Sequence, residues 1–282
     1  MSYWRDKVAV VTGGSAGFGR ILALELAQAG AHVVVAARDT RRLDSVLAEL
    51  EQAAAPAIAA PAGARRRHLA ISADVTVEQD VGRLVQAASA EWGRIDLFVS
   101  NAGRSTRGLV LETTCEQFQE YLECNFLSVV RCARHAAPHL LESKGHLVNV
   151  GSLAAKTVSR FLGAYPASKF PVAAYSQQLR YELGPRGVHV LLLCPGPLAR
   201  EDAGRRYDNE AAGLPETARR PGGGVRLRGL PMPDVARRTL RACERRDPEL
   251  ILPGKVRWLL ALAQIAPRWS DWIVEKMTGG RQ

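Results

Sequence analysis

A tyrosine, a lysine and a serine are the first residues in this chain whose types and spacing suit proton transfer: Tyr165, Lys169 and Ser152. Tyr165 and Lys169 are four residues apart near the start of a predicted helix, so they share one face. A free phenol has a pKa of about 10. We expect the ammonium of Lys169 to lower the pKa of Tyr165, which would make this side chain an acid–base group near neutral pH.

Ser152 ends a predicted strand, at the edge where α/β sheets bind ligands, and its hydroxyl could hold a reacting oxygen. Taken alone, a Tyr-x-x-x-Lys pair is common on exposed helix surfaces, so the pair needs the support of other motifs.

A glycine-rich turn, TGGSAGFG at residues 12–19, follows the first predicted strand and opens the first predicted helix. Glycines there let the backbone approach a pyrophosphate, and the helix N-terminus offers free N–H groups and a favourable dipole. Such a turn alone indicates only a tight connection, but its place between strand and helix favours a dinucleotide site. The residues expected at the cofactor are Gly13, Ser15, Gly17, Phe18 and Gly19.

The end of the second predicted strand indicates which dinucleotide is bound. NAD enzymes usually carry an acid there, which binds the ribose 2′-hydroxyl. Here the strand ends in two alanines followed by Arg38, whose guanidinium can bind a 2′-phosphate through charge-assisted hydrogen bonds. Asp39 comes one residue later, where it is suited to capping the next helix. The sequence therefore predicts NADP(H), with a surface role for Arg38 as the alternative.

The elements that must position these side chains alternate between short apolar strands and helices. The predicted strands cover residues 8–12, 32–36, 69–73, 95–100, 146–151, 188–194 and 250–252. The predicted helices cover residues 17–29, 40–54, 77–92, 115–139 (one helix or two abutting ones), 167–183 and 234–245. This alternation predicts an α/β fold with one doubly wound, Rossmann-type parallel sheet of about seven strands and helices on both faces. We expect a single domain over residues 1–282.

Three segments depart from this alternation. Residues 53–67 are rich in alanine, contain two prolines and end in three arginines, which predicts a surface loop. Residues 196–232 mix glycine, proline and charges, which predicts a substrate lid or loop with short helices. Residues 255–277 form an apolar, tryptophan-containing tail that we expect to be helical.

Composition narrows the class of protein further. The five cysteines are scattered without a CxxC pair, which argues against a disulfide framework or a zinc site and favours a reducing compartment, so we expect a cytoplasmic protein without a metal. The net charge of +10 has no zinc-finger or basic-aromatic motif beside it, so we expect no nucleic-acid partner. The most apolar late stretch, residues 258–266, is much shorter than a membrane-spanning helix, and no secretory signal stands out.

Together these motifs resemble the short-chain dehydrogenase/reductase family over about residues 6–198. The separation of Ser152 and Tyr165 matches the family's usual spacing. The motifs that carry the resemblance are TGxxxGxG at 12–19, Asp74, Asn101-Ala102-Gly103, Asn125, Ser152, Tyr165-Pro166-Ala167-Ser168-Lys169 and Pro195-Gly196.

The resemblance implies a role for each catalytic position. Tyr165 would be the acid–base, and Ser152 would orient and polarise the substrate oxygen. Lys169 would bind the nicotinamide ribose and lower the pKa of Tyr165, and Asn125 would hold a water that extends the proton relay. Structural hydrogen bonding is the alternative role for Asn125.

Further positions are implied at the cofactor. Asp74 and Val75 would lie near the adenine, and Pro195 and Gly196 would pass close to the nicotinamide. The cofactor cleft would be lined by Asn101, Ala102 and Gly103, with structural hydrogen bonding as the alternative for Asn101. One departure stands out: the family often has a threonine four residues after Gly196, and this chain has Arg200.

These observations predict an NADP(H)-dependent enzyme that moves a hydride between nicotinamide and a carbonyl or secondary alcohol carbon. The apolar tail favours a hydrophobic ketone as substrate, with packing against the body or a subunit as the alternative for the same side chains. Two other hypotheses remain open: a non-catalytic NADP(H)-sensing or interaction protein on the same fold, and peripheral membrane contact through the tail. The resemblance also implies a homodimer or homotetramer.

Overall fold

Seven parallel strands form a single sheet in this computed structural model, which describes residues 2–54, 67–200, 207–224 and 228–277. The strands are β1 (Val8–Thr12), β2 (His32–Ala37), β3 (His68–Ser72), β4 (Leu97–Ser100), β5 (His146–Val150), β6 (His189–Pro195) and β7 (Glu249–Leu252). Their order across the sheet is β3-β2-β1-β4-β5-β6-β7, and every pair is parallel. The predicted doubly wound sheet is therefore confirmed.

Helices cover both faces of this sheet, as predicted. They are α1 (Gly17–Gln28), α2 (Thr40–Ala54), α3 (Glu78–Trp92), α4 (Cys115–Leu122), α5 (Ser128–Ser143), α6 (Tyr165–Leu183), α7 (Met232–Glu244), α8 (Val256–Ile265) and α9 (Pro267–Met277). One apolar cluster packs α1, α2 and α7 against the sheet, and a second packs α3, α5 and α6 against its other face.

The strands form where the chain carries continuous apolar runs. All five residues of β1 and all seven of β6 are buried, as expected for strands covered on both faces. Local signals fix helix starts: the Asp39 carboxylate accepts a hydrogen bond from the Arg42 N–H at 3.1 Å, as predicted for a cap of α2. At α4, Thr114 and Gln117 form a reciprocal capping box.

The segment predicted as one long helix or two abutting ones is divided by a π-helical turn. α4 is followed by the π turn Glu123–Leu127, which leads directly into α5. This turn contains Asn125, and π turns inside helices often mark functional positions. α6 begins two residues earlier than predicted, at Tyr165 itself, because Pro166 is tolerated in a helix's first turn.

The two remaining irregular regions are described in part. The predicted loop at 53–67 lies mostly outside the described residues, and so do 201–206 and 225–227 of the predicted lid. The rest of the lid contains two short 3₁₀ turns, Glu216–Arg219 and Pro221–Gly223. The tail is helical as predicted and is divided into α8 and α9 at Pro267. Within the described parts of the chain, no helix combines the length and apolar character needed to cross a membrane.

Candidate active site

The carboxyl ends of the strands open into a cavity of about 440 Å³. Parallel strands place their following loops at the same edge, so motifs far apart in sequence meet there. The predicted residues that line this cavity are Gly13, Gly17, Phe18, Asn101, Ala102, Gly103, Ser152, Tyr165, Lys169, Pro195 and Gly196. The predicted residues outside its lining are Ser15, Gly19, Arg38, Asp74, Val75 and Asn125. The structure therefore brings the proton-transfer group and the glycine turn into one space.

The glycine turn has a shape that a side chain would block. Gly17 has φ of +54°, a left-handed conformation that favours glycine. A Cβ added at Gly19 would collide with the amide of Asn101 and the carbonyl oxygen of Gly13. Asn101 holds this arrangement because its Nδ2 donates to the carbonyl oxygens of Thr12 and Gly13, at 2.9 and 3.2 Å. The turn can thus present backbone N–H groups at the start of α1 to a phosphate.

Tyr165 and Ser152 meet although they lie on different elements. Ser152 follows β5, where its Oγ accepts the Ala154 N–H at 3.1 Å, and its side chain also hydrogen-bonds Tyr165. Burial raises the pKa of Tyr165 to about 12, and the hydrogen bond from Ser152 opposes this rise. The expected lowering of the Tyr165 pKa is therefore wrong for the protein chain by itself, because desolvation of the phenolate outweighs the favourable contacts.

Lys169 lies one turn along α6 and is buried, with 4% of its surface exposed. Its ammonium donates a hydrogen bond to the carbonyl oxygen of Val150 at 2.9 Å. Burial lowers the pKa of Lys169 to about 8. The lysine is thus anchored to the end of β5, and its ammonium is not among the groups that dominate the pKa of Tyr165.

Asn125 is fully buried in the π turn and makes hydrogen bonds through both ends of its amide. Its Oδ1 accepts the Arg104 N–H at 2.8 Å, and its Nδ2 donates to the carbonyl oxygen of Arg104 and to Ser168 Oγ, both at 2.8 Å. Asn125 therefore fixes the loop after β4 against α6. A water held by this residue stays a prediction.

Arg38, Asp74 and Val75 lie together at the ends of β2 and β3, beyond the cavity. Arg38 follows β2 with 81% of its side chain exposed, and its Nη1 is 3.7 Å from the Asp74 carboxylate. Hydrogen bonds from Thr76 and the Arg38 charge lower the pKa of Asp74 against the effect of its partial burial. Val75 is buried. The predicted adenine-side residues are thus neighbours, and the Arg38 guanidinium is accessible to a ligand.

Three cavity residues escaped the sequence analysis as functional candidates: Arg107, Arg200 and Tyr207. Arg107 is 5% exposed and packs on the Tyr207 ring. Arg200 lies over the glycine turn, since a Cβ added at Gly17 would be 2.8 Å from its Nη2. In the sequence, Arg200 stands out only as a departure from the family's pattern, and no local pattern indicates that Arg107 is buried.

The remaining wall of the cavity is apolar and comes from two distant parts of the chain. Leu153, Val158 and Leu162 belong to the loop between β5 and α6. Val256 and Leu259 of α8 and Val274 of α9 close the other side. Within the tail, Leu259 thus faces the cavity, whereas Trp258 is 81% exposed.

Comparison with known proteins establishes the class. Residues 7–210 match the family model for short chain dehydrogenases, so the chain belongs to this family and is an oxidoreductase. The family uses a nicotinamide cofactor.

Particular relatives support the same class over most of the chain. An uncharacterised oxidoreductase of Bacillus subtilis, YxnA, is 29% identical over 280 residues, which covers 97% of this chain and 72% of the relative. A glycine betaine reductase of Emericella nidulans is 34% identical over 206 residues, which covers 73% of this chain but only 15% of that protein.

Two solved structures are also similar. A short-chain dehydrogenase from Streptomyces avermitilis has a TM-score of 0.78 and 28% identity, covering 96% of this chain and 97% of that one. A short-chain dehydrogenase/reductase from Burkholderia phymatum, in complex with NAD, has a TM-score of 0.78 and 25% identity, covering 95% and 96%.

Proposed function

We propose that this chain is an NADP(H)-dependent oxidoreductase that transfers a hydride between nicotinamide and a carbonyl or secondary alcohol carbon, with a hydrophobic ketone as substrate. The observation that carries this proposal is the meeting of Tyr165, Ser152 and the glycine turn in one cavity. A proton-transfer group and a phosphate-binding turn in one space are the two parts that hydride transfer to a carbonyl requires.

The chain's residues fit a nicotinamide dinucleotide. Gly13, Gly17 and Phe18 would hold the pyrophosphate through the turn and the N-terminus of α1, where Gly17 leaves the room that a side chain would fill. The Arg200 guanidinium beside Gly17 adds positive charge to this phosphate site. When bound, the nicotinamide supplies or accepts the hydride.

The choice of NADP(H) over NAD(H) rests on Arg38. No acid follows β2 directly, and the exposed guanidinium of Arg38 suits a 2′-phosphate. The similar protein from Burkholderia phymatum is in complex with NAD, so a direct comparison of the two cofactors is part of the test.

The residues would move the proton as follows. In the reducing direction, Ser152 donates a hydrogen bond to the carbonyl oxygen, and Tyr165 gives its phenolic proton to the same oxygen. Lys169, anchored on the Val150 carbonyl oxygen, would hold the nicotinamide ribose. Asn125 would support the relay by which Tyr165 regains its proton.

The substrate class follows from the apolar wall. Leu153, Val158, Leu162, Val256 and Leu259 give the cavity an aliphatic side next to the reacting group. Burying an aliphatic chain against such a wall stabilises the complex by about 25 cal/mol per Å². A ketone with an apolar body therefore suits this cavity.

Initial-rate measurements test the proposal. Oxidation of NADPH and NADH is followed at 340 nm over a series of 2-alkanones of increasing chain length, with isothermal titration of both oxidised cofactors alongside. We expect NADPH to be used preferentially and kcat/KM to rise with chain length. Cofactor binding without turnover of any ketone would favour the alternative, a non-catalytic NADP(H)-sensing or interaction protein.

We further propose a cytoplasmic location for this oxidoreductase and two kinds of partner. Homodimers or homotetramers would form through α5 and α6, where Phe170 and Tyr181 are 44% and 70% exposed. The outer face of α8 and α9 exposes Trp258, Ile265 and Trp269, which suits peripheral contact with a membrane.

A further inference from the structure

Arg107 is a buried charge at the edge of the reacting group. It belongs to the loop after β4, and only 5% of its surface is exposed. Burying an ionised side chain is costly unless the protein compensates it. Burial lowers the pKa of Arg107 from its ordinary value, but a guanidinium stays charged in proteins. The chain therefore keeps a full positive charge inside the cavity wall.

The hydrogen bonds of Arg107 go to neutral acceptors. Nε donates to the carbonyl oxygen of Ala218 at 2.7 Å, and Nη2 donates to that of Arg220 at 3.1 Å. Nη1 donates to the carbonyl oxygen of Thr106 at 2.7 Å and to Ser105 Oγ at 3.4 Å. None of these acceptors is a carboxylate, so the hydrogen bonds fix the guanidinium in place without cancelling its charge.

These contacts join two parts of the cavity. Ser105 and Thr106 precede Arg107 in its own loop, whereas Ala218 and Arg220 belong to residues 207–224, here named the covering segment. Tyr207 of the covering segment lies with its ring centroid 3.7 Å from the Arg107 guanidinium carbon. Such a contact is a cation–π interaction, which compensates part of the cost of burial. The fixed position of the charge therefore depends on the covering segment.

The charge of Arg107 acts on Tyr165. Both residues line the same cavity. Burial raises the pKa of the Tyr165 phenol, and the Arg107 guanidinium opposes this rise. Besides burial, the side chains with the largest effects on the pKa of Tyr165 are Ser152 after β5, Arg107 in the loop after β4, Tyr207 in the covering segment and Cys194 in β6. Lys169, one turn along α6, is not one of them. The Tyr207 side chain adds a further hydrogen bond to the guanidinium, and the Glu210 carboxylate acts on Arg107 through space.

We propose that Arg107 is a positioning residue for proton transfer: an uncancelled guanidinium, clamped by the covering segment, that stabilises the Tyr165 phenolate. This inference rests on the proposed function. When Tyr165 gives its proton to the substrate oxygen, the phenol becomes a phenolate, and the negative charge forms where Arg107 supplies positive potential. In the oxidising direction the same phenolate accepts the proton of the alcohol, so Arg107 serves both directions.

Spectrophotometric titration of the full chain saturated with NADP⁺ tests this role. Phenolate absorbance near 295 nm is recorded from pH 6 to 11, because we expect the positive charge of bound NADP⁺ to bring the Tyr165 midpoint below its value of about 12 in the chain by itself. The same titration of a Tyr165→Phe partner in each background is subtracted, which isolates Tyr165. We expect Arg107→Met to raise the midpoint of Tyr165 ionisation by about one pH unit. Arg107→Lys keeps the charge, so its midpoint should stay near that of the unchanged protein.

Matched variants separate charge from structure. Arg104 lines the same cavity but pairs with Glu120, so Arg104→Met should leave the midpoint where it is. Arg107→Gln is a second neutral variant that retains donors for the Ala218 carbonyl oxygen, and it should behave as Arg107→Met does. Far-UV circular dichroism and NADP⁺ titration establish that each variant is folded.

The outcomes are distinct. If neither Arg107→Met nor Arg107→Gln changes the midpoint of Tyr165 ionisation, the role of Arg107 is overturned and the proposed function stands. If Arg107→Lys raises this midpoint as much as the neutral variants do, the role of Arg107 is also overturned, because the cause would be lost packing rather than lost charge. If the unchanged protein binds no NADP⁺, the proposed function fails together with the inference. If it binds NADP⁺ but forms no Tyr165 phenolate below pH 11, the stabilisation of the phenolate by Arg107 is overturned and the proposed function stands.

Discussion

The sequence predicts that Lys169 lowers the pKa of Tyr165, whereas our proposal gives this effect to Arg107. The spacing of Tyr165 and Lys169 correctly predicts a shared helix face in one cavity. It could not predict that the ammonium is held by the Val150 carbonyl oxygen at 2.9 Å, because that contact depends on where β5 ends. The burial of Arg107 depends on the covering segment, which no local pattern reveals. At the scale of residues, sequence motifs therefore identify the candidate site residues, whereas their pKa values depend on packing between distant parts of the chain.

Arg200 provides a prediction at the same scale. Its guanidinium lies beside Gly17, so it should stabilise the pyrophosphate by a charge-assisted contact. We expect Arg200→Thr to weaken binding of ADP-ribose and NADP⁺ by about tenfold, since a hydrogen bond to a charged group contributes about 1.5 kcal/mol. Isothermal titration measures this, and adenosine 2′-monophosphate, which lacks the pyrophosphate, is the control. Equal loss for all three ligands would show a general disturbance instead.

Arg38 gives the complementary prediction. Because the guanidinium is assigned to the 2′-phosphate, Arg38→Leu should weaken NADP⁺ at least tenfold and leave NAD⁺ nearly unchanged. The measurement is titration of both cofactors with the same protein preparation. Arg42 lies on the neighbouring turn and is paired with Asp39, so Arg42→Leu is the matched control. If Arg38→Leu affects NADP⁺ and NAD⁺ alike, the assignment of Arg38 is wrong.

Elements were predicted closely where periodicity is strong. The bounds of β1 and α2 agree with the structure, and those of the other strands differ by one or two residues. The π turn at Glu123–Leu127 could not be predicted, because it is stabilised by contacts of Asn125 with Arg104 and Ser168 rather than by local propensity. The covering segment also lacks a periodic pattern, since its packing is made with Arg107.

The helices α8 and α9 carry a prediction at this scale. Their exposed face presents Trp258, Ile265, Trp269 and Trp272, which are 81%, 83%, 69% and 53% exposed. We expect the protein to float with vesicles of phosphatidylcholine and phosphatidylserine, because apolar burial and nearby basic side chains both favour an anionic interface.

A double variant, Trp258→Gln with Trp269→Gln, should abolish most of this binding and leave NADP⁺ affinity intact. Neither residue lines the cavity. Leu111→Gln, at an exposed position between β4 and α4, is the control. If the unchanged protein stays at the bottom of the gradient, the tail has another use, and contact with a second copy of the chain becomes the better explanation.

At the scale of the whole molecule, buried histidines lie at the amino-terminal ends of the strands, on the side of the sheet opposite the cavity. His146 begins β5 and His189 begins β6, and their Nδ1 atoms are 2.9 Å apart. The Asp247 carbonyl oxygen can only accept, so His189 Nε2 carries a proton. When both rings are neutral, His189 Nδ1 therefore accepts the hydrogen bond from His146 Nδ1. Tyr3 then donates to His146 Nε2 at 2.7 Å. Burial lowers the pKa of both His146 and His189, which favours this arrangement with two neutral rings.

Acid should therefore destabilise the protein as a whole. Burial lowers the pKa of His146 to about 3 and that of His68 to about 4. Since an unfolded histidine has a pKa of about 6.5, the unfolded chain binds more protons below that pH, and the free energy of unfolding falls as pH decreases. We expect a loss of up to about 2 kcal/mol for each such histidine between pH 6.5 and 5.

Urea unfolding at pH 7.5, 6.5 and 5.0 measures this dependence. His68→Gln is the informative variant, because it should be less stable at pH 7.5 yet lose less stability on acidification than the unchanged protein. Equal acid sensitivity of the two proteins would contradict the assignment to His68. The fold that positions these histidines follows from the alternation of strands and helices, whereas their pairing across β5 and β6 depends on the register of the sheet.

The central claim is that Tyr165 exchanges the proton that accompanies hydride transfer, and one comparison of variants tests it most directly. NADPH-dependent reduction of the best 2-alkanone is measured for the unchanged protein, for Tyr165→Phe and for Tyr175→Phe, with NADP⁺ affinity determined for each. Tyr175 lies on the same helix but outside the cavity. We expect Tyr165→Phe to lower kcat by about 10² to 10⁴ with unchanged cofactor affinity, and Tyr175→Phe to stay active. Near-normal turnover by Tyr165→Phe would contradict the central claim.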